Sequence, residues 1–92
     1  MPLTERARFK TVLQRGNRVQ VPKLVRWRYK LDSEQVLKVS VGDALYGSET
    51  FYARMDRSGR VTVPKLTLGL LRSRLDEQDL AGKVLEVELK PA

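Results

Sequence analysis

Apolar and polar positions alternate at corresponding places in the two halves of the chain, a pattern typical of strands that bury one face. Val19 and Val21 lie on one face of the first such strand, and Val61 and Val63 do so in the second half. A proline follows each strand and ends it, because proline has no N–H for the ladder. The sequence therefore predicts two short strands whose valines are structural core residues.

These strands belong to an internal repeat. Residues 18–24 read RVQVPKL and residues 60–66 read RVTVPKL, 42 positions apart. A repeat of this period in a short chain indicates two copies of one supersecondary unit that bury their apolar faces together. We therefore expect one domain, residues 1–92, with repeat 1 at about 7–42 and repeat 2 at about 49–90.

Each copy follows the same order of predicted elements. Glycine-containing polar clusters at 14–18 and 56–60 predict tight hairpin turns. Alternating segments at 36–41 and 84–89 predict the last strands, and because these lie 48 positions apart, the extra residues are expected near 79–83. The predicted fold class is mainly β: a six-stranded, pseudo-twofold barrel or sandwich built from two β-β-α-β repeats with short helices.

The segment after the first proline, residues 23–31, fits two structures. Leu24, Trp27 and Leu31 have helical spacing, whereas 25–31 also alternates as a strand would. The second copy repeats the helical spacing at Leu68, Leu71 and Leu75. This favours a helix, with the strand as the alternative.

The aromatic side chains can stack on bases, but at these spacings we expect core packing; they are Trp27, Tyr29 and Tyr52.

Composition excludes several chemistries. Cysteine and histidine are absent, which removes disulfides, thiolate nucleophiles, imidazole bases and nearly every zinc site. The remaining candidates for metal or acid–base chemistry are carboxylates in the connectors, and we expect these to cap backbone instead; they are Asp32, Glu34, Asp76, Glu77 and Asp79. We expect no enzyme activity, no cofactor and no metal. No apolar run suits a membrane span or signal peptide, so a cytoplasmic protein is predicted.

Positive charge is concentrated in the first repeat. The net charge is +7, but residues 1–30 alone contribute +8 and the remainder contributes −1. Arginine outnumbers lysine, and its guanidinium fork suits phosphate. The sequence thus predicts a polyanionic partner. The candidate nucleic-acid contacts lie at the two turns and in the segment after the first proline: Arg15, Arg18, Arg26, Arg28, Arg57 and Arg60.

The stretches from turn to proline, residues 17–22 and 59–64, resemble the SpoVT/AbrB superfamily of swapped-hairpin transcription factors. Two copies in one chain resemble the related cradle-loop barrels, in particular the monomeric RIFT barrel. The resemblance implies a monomer that binds DNA and regulates transcription, with contacts from the arginines of the turns and of the following helix. Leu68 stands where the first copy has Arg26, which implies either one-sided binding through the first repeat or loss of DNA binding.

Two alternatives stay open at this point. One is an interaction or assembly module that binds an acidic protein or RNA. The other is a barrel that binds a phosphorylated small molecule, as related barrels do, since a fold does not dictate a function.

Overall fold

The computed structural model describes residues 6–43, 45–76, 79–80 and 82–91. Over these ranges the order strand, strand, helix, strand occurs twice, which confirms the predicted repeat. The first copy comprises β1 (Ala7–Val12), β2 (Arg18–Gln20), α1 (Lys23–Arg28) and β3 (Val36–Asp43). The second comprises β4 (Gly47–Arg54), β5 (Arg60–Thr62), α2 (Lys65–Leu75) and β6 (Val84–Pro91).

The strands form two antiparallel sheets that both copies share. One has four strands in the order β1-β6-β3-β4, and the other pairs β2 with β5 and is called the ribbon below. The first strand of each copy pairs with the last strand of the other copy. A mainly β, six-stranded architecture is therefore confirmed. Over the described residues, however, the strands are divided between two sheets and do not close into one hydrogen-bonded barrel.

Strand registers reveal a pseudo-twofold axis. In the ribbon, Val19 lies opposite Val61, its own counterpart in the repeat. In the large sheet, Ser40 of β3 lies opposite Glu88 of β6, and these residues are also counterparts at the 48-residue offset of the last strands. Because residues that face their own counterparts lie on the axis, it passes through the centres of both sheets.

The prolines fix where each helix begins. Pro22 and Pro64 have extended backbone, with ψ of 143° and 148°, and the helices start at the next residue. The helical prediction for 23–31 is thus confirmed for its first six residues, and the strand alternative is wrong. Neither helix, nor any other in the described ranges, has the length and apolar character needed to cross a membrane.

The two helices differ in length, and this accounts for most of the extra residues of the second copy. α2 has 11 residues and α1 has six. The prediction that the insertion lies at 79–83 is therefore largely wrong. The physical reason is an apolar stripe: Leu71 and Leu75 continue the buried side of α2, whereas α1 ends at Arg28 before the charged residue Lys30.

The core lies between the inner face of the large sheet and a second layer formed by the ribbon and helices. The four repeat valines are at most 1% exposed, which confirms that they are structural. They pack in one cluster with the inward residues of the central strands β3 and β6, which are Leu37, Val39, Val41, Leu85, Val87 and Leu89.

Both helices present the same positions to solvent. Leu24 and its counterpart Leu66 are each 76% exposed, and Trp27 is 79% exposed. In α1 it is Val25 and Tyr29, four residues apart, that pack against the core. The expected inward stripe through Leu24 and Trp27 is therefore wrong, because the proline before each helix gives both copies the same entry and rotation.

Two leucines of α2 provide a matched test of this packing. We expect Leu68→Ala, at a fully buried position, to lower the free energy of unfolding by about 2–5 kcal/mol. Leu66→Ala removes the same atoms from an exposed position and should change it by less than about 0.5 kcal/mol. Chemical denaturation of both variants measures the difference, and equal losses would contradict the described rotation of α2.

Candidate nucleic-acid interface

The outer face of the ribbon is polar and carries arginine from both copies. Because the central valines point into the core, the residues on either side of them point outward. Arg18 lies opposite Thr62, and Gln20 lies opposite Arg60. The pseudo-twofold axis relates Arg18 to Arg60, so each half of this face carries one half-buried arginine. The guanidinium of Arg18 lies against Gly16 of its own turn.

Reciprocal backbone bonds join each hairpin turn to the other copy. The Val21 N–H donates to the Gly59 carbonyl at 2.8 Å, and the Val63 N–H donates to the Asn17 carbonyl at 2.7 Å. The two bonds are counterparts at the 42-residue offset. Each turn is thereby fixed to the end of the neighbouring strand, and the turn arginines are held at opposite ends of one rigid surface.

The first hairpin turn uses two residues with positive φ. Gly16 has φ of 77° and Asn17 has φ of 60°, and both lie in the three-residue turn 15–17 between the bridged residues Gln14 and Arg18. The Gln14 N–H donates to the Arg18 carbonyl at 2.7 Å and closes the turn. Arg15, at the tip, is exposed.

The second hairpin turn is stabilised by a carboxylate. The Oδ1 atom of Asp56 accepts hydrogen bonds from the N–H groups of Ser58 at 2.8 Å and Arg60 at 2.9 Å. The Arg60 N–H is the largest cause that lowers the pKa of Asp56; Ser58 and the positive charges of Arg60 and Arg18 add to it against partial desolvation. Arg18 of the first copy is thus within electrostatic reach of the second turn. Arg57, in that turn, is exposed.

Arg26 of α1 lies against the second turn. A Cβ atom added at Gly59 would be 2.5 Å from its Cζ atom, so glycine is what lets the guanidinium approach. Within the described residues, the Nε atoms of Arg26 and Arg60 are buried without a hydrogen-bond partner. Unpaired buried donors raise the free energy of the folded protein, and a bound anion can draw such guanidinium groups into hydrogen bonds.

Five of the six predicted contact residues therefore lie around the ribbon, and one lies apart. Arg28 is two positions beyond Arg26, about 200° around the helix, and its Cζ atom lies 5.7 Å from the ring centroid of Tyr29. Gln20 was not among the predicted residues. Its Nε2 atom donates to the Ser58 carbonyl at 2.9 Å and so supports the second turn. Gln20 could have been predicted from the alternation of the strand, because residues 18 and 20 lie on the same face.

The outer face of the large sheet carries a second polar surface, an open groove of roughly 640 Å³. Here the acidic strand β6 lies beside the basic strand β1. Glu88 pairs with Arg8 at 2.7 Å, Lys90 at 3.0 Å and Arg6 at 3.8 Å. Burial tends to raise the pKa of Glu88, but bonds from Lys90 and Arg8 outweigh it and lower the pKa. Part of the positive charge of the first repeat is therefore neutralised by the second.

Among the carboxylates of the connectors, the structure shows a local role for Asp32. Asp32 accepts a hydrogen bond from the Glu34 N–H at 2.9 Å, which confirms backbone capping at this connector. Glu77 lies outside the described residues. In the part of the chain that is described, no three acidic side chains are grouped as a metal site would require. Core packing is confirmed for Tyr29 but is wrong for Trp27 and for Tyr52, which is 62% exposed.

Comparison with known proteins supports the fold. No protein-family model matches the chain, and a search of curated proteins gives no match. Among solved structures, the chain is similar to the solution structure of PHS018 from Pyrococcus horikoshii, with a TM-score of 0.70 and 27% identity over 100% of this chain and 99% of that one. The likeness thus extends over both copies of the repeat. Fold and surface together define a small, internally repeated antiparallel β protein with an arginine-bearing ribbon.

The contact between Arg26 and Gly59 can be tested by comparing Gly59 with Gly82, which has a similar positive φ. Gly59 and Gly82 have φ of 83° and 80°, but an added Cβ would meet no atom within 4 Å at Gly82. We expect Gly82→Ala to destabilise by about 1–2 kcal/mol through backbone strain alone. Gly59→Ala should cost slightly more, because the far end of the flexible Arg26 side chain must also move. In an Arg26→Ala background the excess should disappear in thermal unfolding. An unchanged excess would refute the contact.

Proposed function

We propose that this protein is a non-enzymatic, cytoplasmic DNA-binding protein that contacts duplex DNA through the outer face of the ribbon. The observation that carries the proposal is the pair Arg18 and Arg60, which lie on one face of the ribbon at positions related by the pseudo-twofold axis. Arg15, Arg57 and Arg26 extend the same surface. Phosphate contacts from these side chains position the protein on the duplex.

The dimensions of the ribbon suit this role. A two-stranded β-ribbon fits the major groove of B-DNA, which is about 12 Å wide. Arg18 and Arg60 are two positions apart along antiparallel strands, or about 7 Å along the ribbon, with about 5 Å more between strands. Two extended arginine side chains starting from these positions reach phosphates on opposite sides of such a groove.

Charge favours the ribbon over the groove of the large sheet. Between residues 6 and 30 the sequence has nine cations and no acid. On the sheet face Glu88 offsets the nearest of these cations. On the ribbon the nearby carboxylate of Asp56 is engaged by two backbone N–H groups. A polyanion therefore meets less competition and less repulsion at the ribbon.

The resemblance to the SpoVT/AbrB superfamily supports the same proposal. The interleaved pairing of first and last strands is what two fused swapped hairpins would produce. We accordingly propose a cradle-loop architecture, action as a monomer because both halves of the ribbon come from one chain, and a role in transcriptional regulation.

The experiment is a titration of a labelled 20-base-pair duplex, followed by fluorescence anisotropy at 50 and 200 mM salt. Five phosphate contacts give a slope of about −4.5 in log K against log salt. Arg18→Ala/Arg60→Ala should lower affinity at 50 mM at least about tenfold and reduce the slope by about 2. The matched control is Arg54→Ala/Arg72→Ala, which removes the same charge from exposed positions on β4 and α2, outside the ribbon and its turns.

The control double variant should lose less affinity than Arg18→Ala/Arg60→Ala and should bind within about threefold of the parent at 200 mM salt, where long-range charge is largely screened. Equal losses in both double variants would contradict a defined interface. No binding by the parent protein would refute the proposal and favour the acidic-protein or RNA module.

A further inference from the structure

Trp27 occupies an unusual place for the one tryptophan of a small protein. It is 79% exposed, and Leu24, three residues earlier on α1, is 76% exposed. Large exposed apolar groups raise the free energy of the solvated protein, so their grouping on one short helix indicates an interaction surface.

Helical geometry shows that Trp27 points directly away from the core. Val25 and Tyr29 pack against the core, and Trp27 lies about 200° around the helix axis from each of them. Arg26 and Arg28 lie about 100° to either side of Trp27. Trp27 therefore lies between two arginines on the helix surface. The guanidinium of Arg26 lies against Gly59 of the second hairpin turn, and that of Arg28 lies over the ring of Tyr29.

The charge around Trp27 selects the chemistry of the partner. Three exposed residues of α1 lie on the same side as Trp27, namely Lys23, Leu24 and Arg28, and Arg26 is half-buried beside them. The first turn of the helix has no acidic residue. A polyanion with flat apolar groups complements this surface, and nucleic acid with accessible bases has both properties. Indole stacking on a base is favourable for any base, because every base has a π face.

We propose that Trp27 stacks on an unpaired base, so that the protein prefers DNA with a locally open duplex over fully paired DNA. In intact duplex the faces of the bases are covered by their neighbours, and an unpaired base exposes one. The ribbon holds the flanking duplex, and α1 receives the open segment. This inference rests on the proposed function.

The second copy makes this surface one-sided. Gly69 stands at the counterpart of Trp27, and Leu68, which is buried, stands at the counterpart of Arg26. Both the stacking group and its neighbouring guanidinium are thus present in one copy alone. Such an arrangement fits a partner that has one open segment beside a duplex segment.

The test compares two labelled 20-base-pair DNAs with equal numbers of phosphates, one fully paired and one with three central mismatches. Anisotropy is measured for the parent, Trp27→Leu and Trp27→Phe at one salt concentration. We expect the mismatched DNA to bind the parent at least about tenfold more tightly, Trp27→Leu to lose this preference and Trp27→Phe to keep most of it. Saturation with mismatched DNA should also quench the fluorescence of Trp27 in the parent.

The outcomes separate this inference from the proposed function. If both DNAs bind the parent equally, or if Trp27→Leu keeps the preference, stacking by Trp27 is refuted while ribbon binding stands. If neither DNA binds, both proposals fail. Unfolding curves of Trp27→Leu should match those of the parent, because the site is exposed. They show whether the variant is folded when it no longer prefers mismatched DNA.

Discussion

Two reciprocal hydrogen bonds related by the pseudo-twofold axis, Val21 to Gly59 and Val63 to Asn17, join the copies at the two ends of the ribbon. Each copy alone would leave an apolar strand face uncovered. Pairing β2 with β5 buries the central valines over the inner face of the large sheet, and pairing first strands with last strands closes that sheet across the same axis. The same bonds position the hairpin turns. The arrangement of the turn arginines and the packing of the core therefore both depend on them.

The backbone is more symmetric than the chemistry it carries. Strand registers, proline positions and helix rotation obey the pseudo-twofold axis, whereas Arg26 and Trp27 have Leu68 and Gly69 as counterparts. The central valines of both copies fill one shared core, which keeps them alike. The helices differ: α1 is short and basic and exposes Trp27, whereas α2 is longer, buries Leu68, Leu71 and Leu75 and packs against β4.

Sequence alone predicts the element order, the turns and the buried valines, because each depends on local pattern and on proline and glycine at fixed places. It does not predict the rotation of α1. Leu24, Trp27 and Leu31 have the spacing of a buried stripe, and the entry imposed by Pro22 turns the first two outward. Nor does composition predict that Glu88 of the second copy neutralises Arg8 of the first, since that depends on which strands become neighbours. The sequence predicts that arginines lie at the hairpin turns. It does not predict the contact of Arg26 with Gly59, because that contact forms only when the two copies pair.

The central claim is that the ribbon, with α1 beside it, is the surface that meets DNA. The most direct measurement is a two-dimensional NMR titration of 15N-labelled protein with a short duplex. The account predicts that amide shifts change mainly in residues 15–20, 57–62 and 23–28, while β1 and β6 on the far side of the core change little. Changes concentrated around Arg8, Glu88 and Lys90, or no changes at saturating duplex, would contradict it.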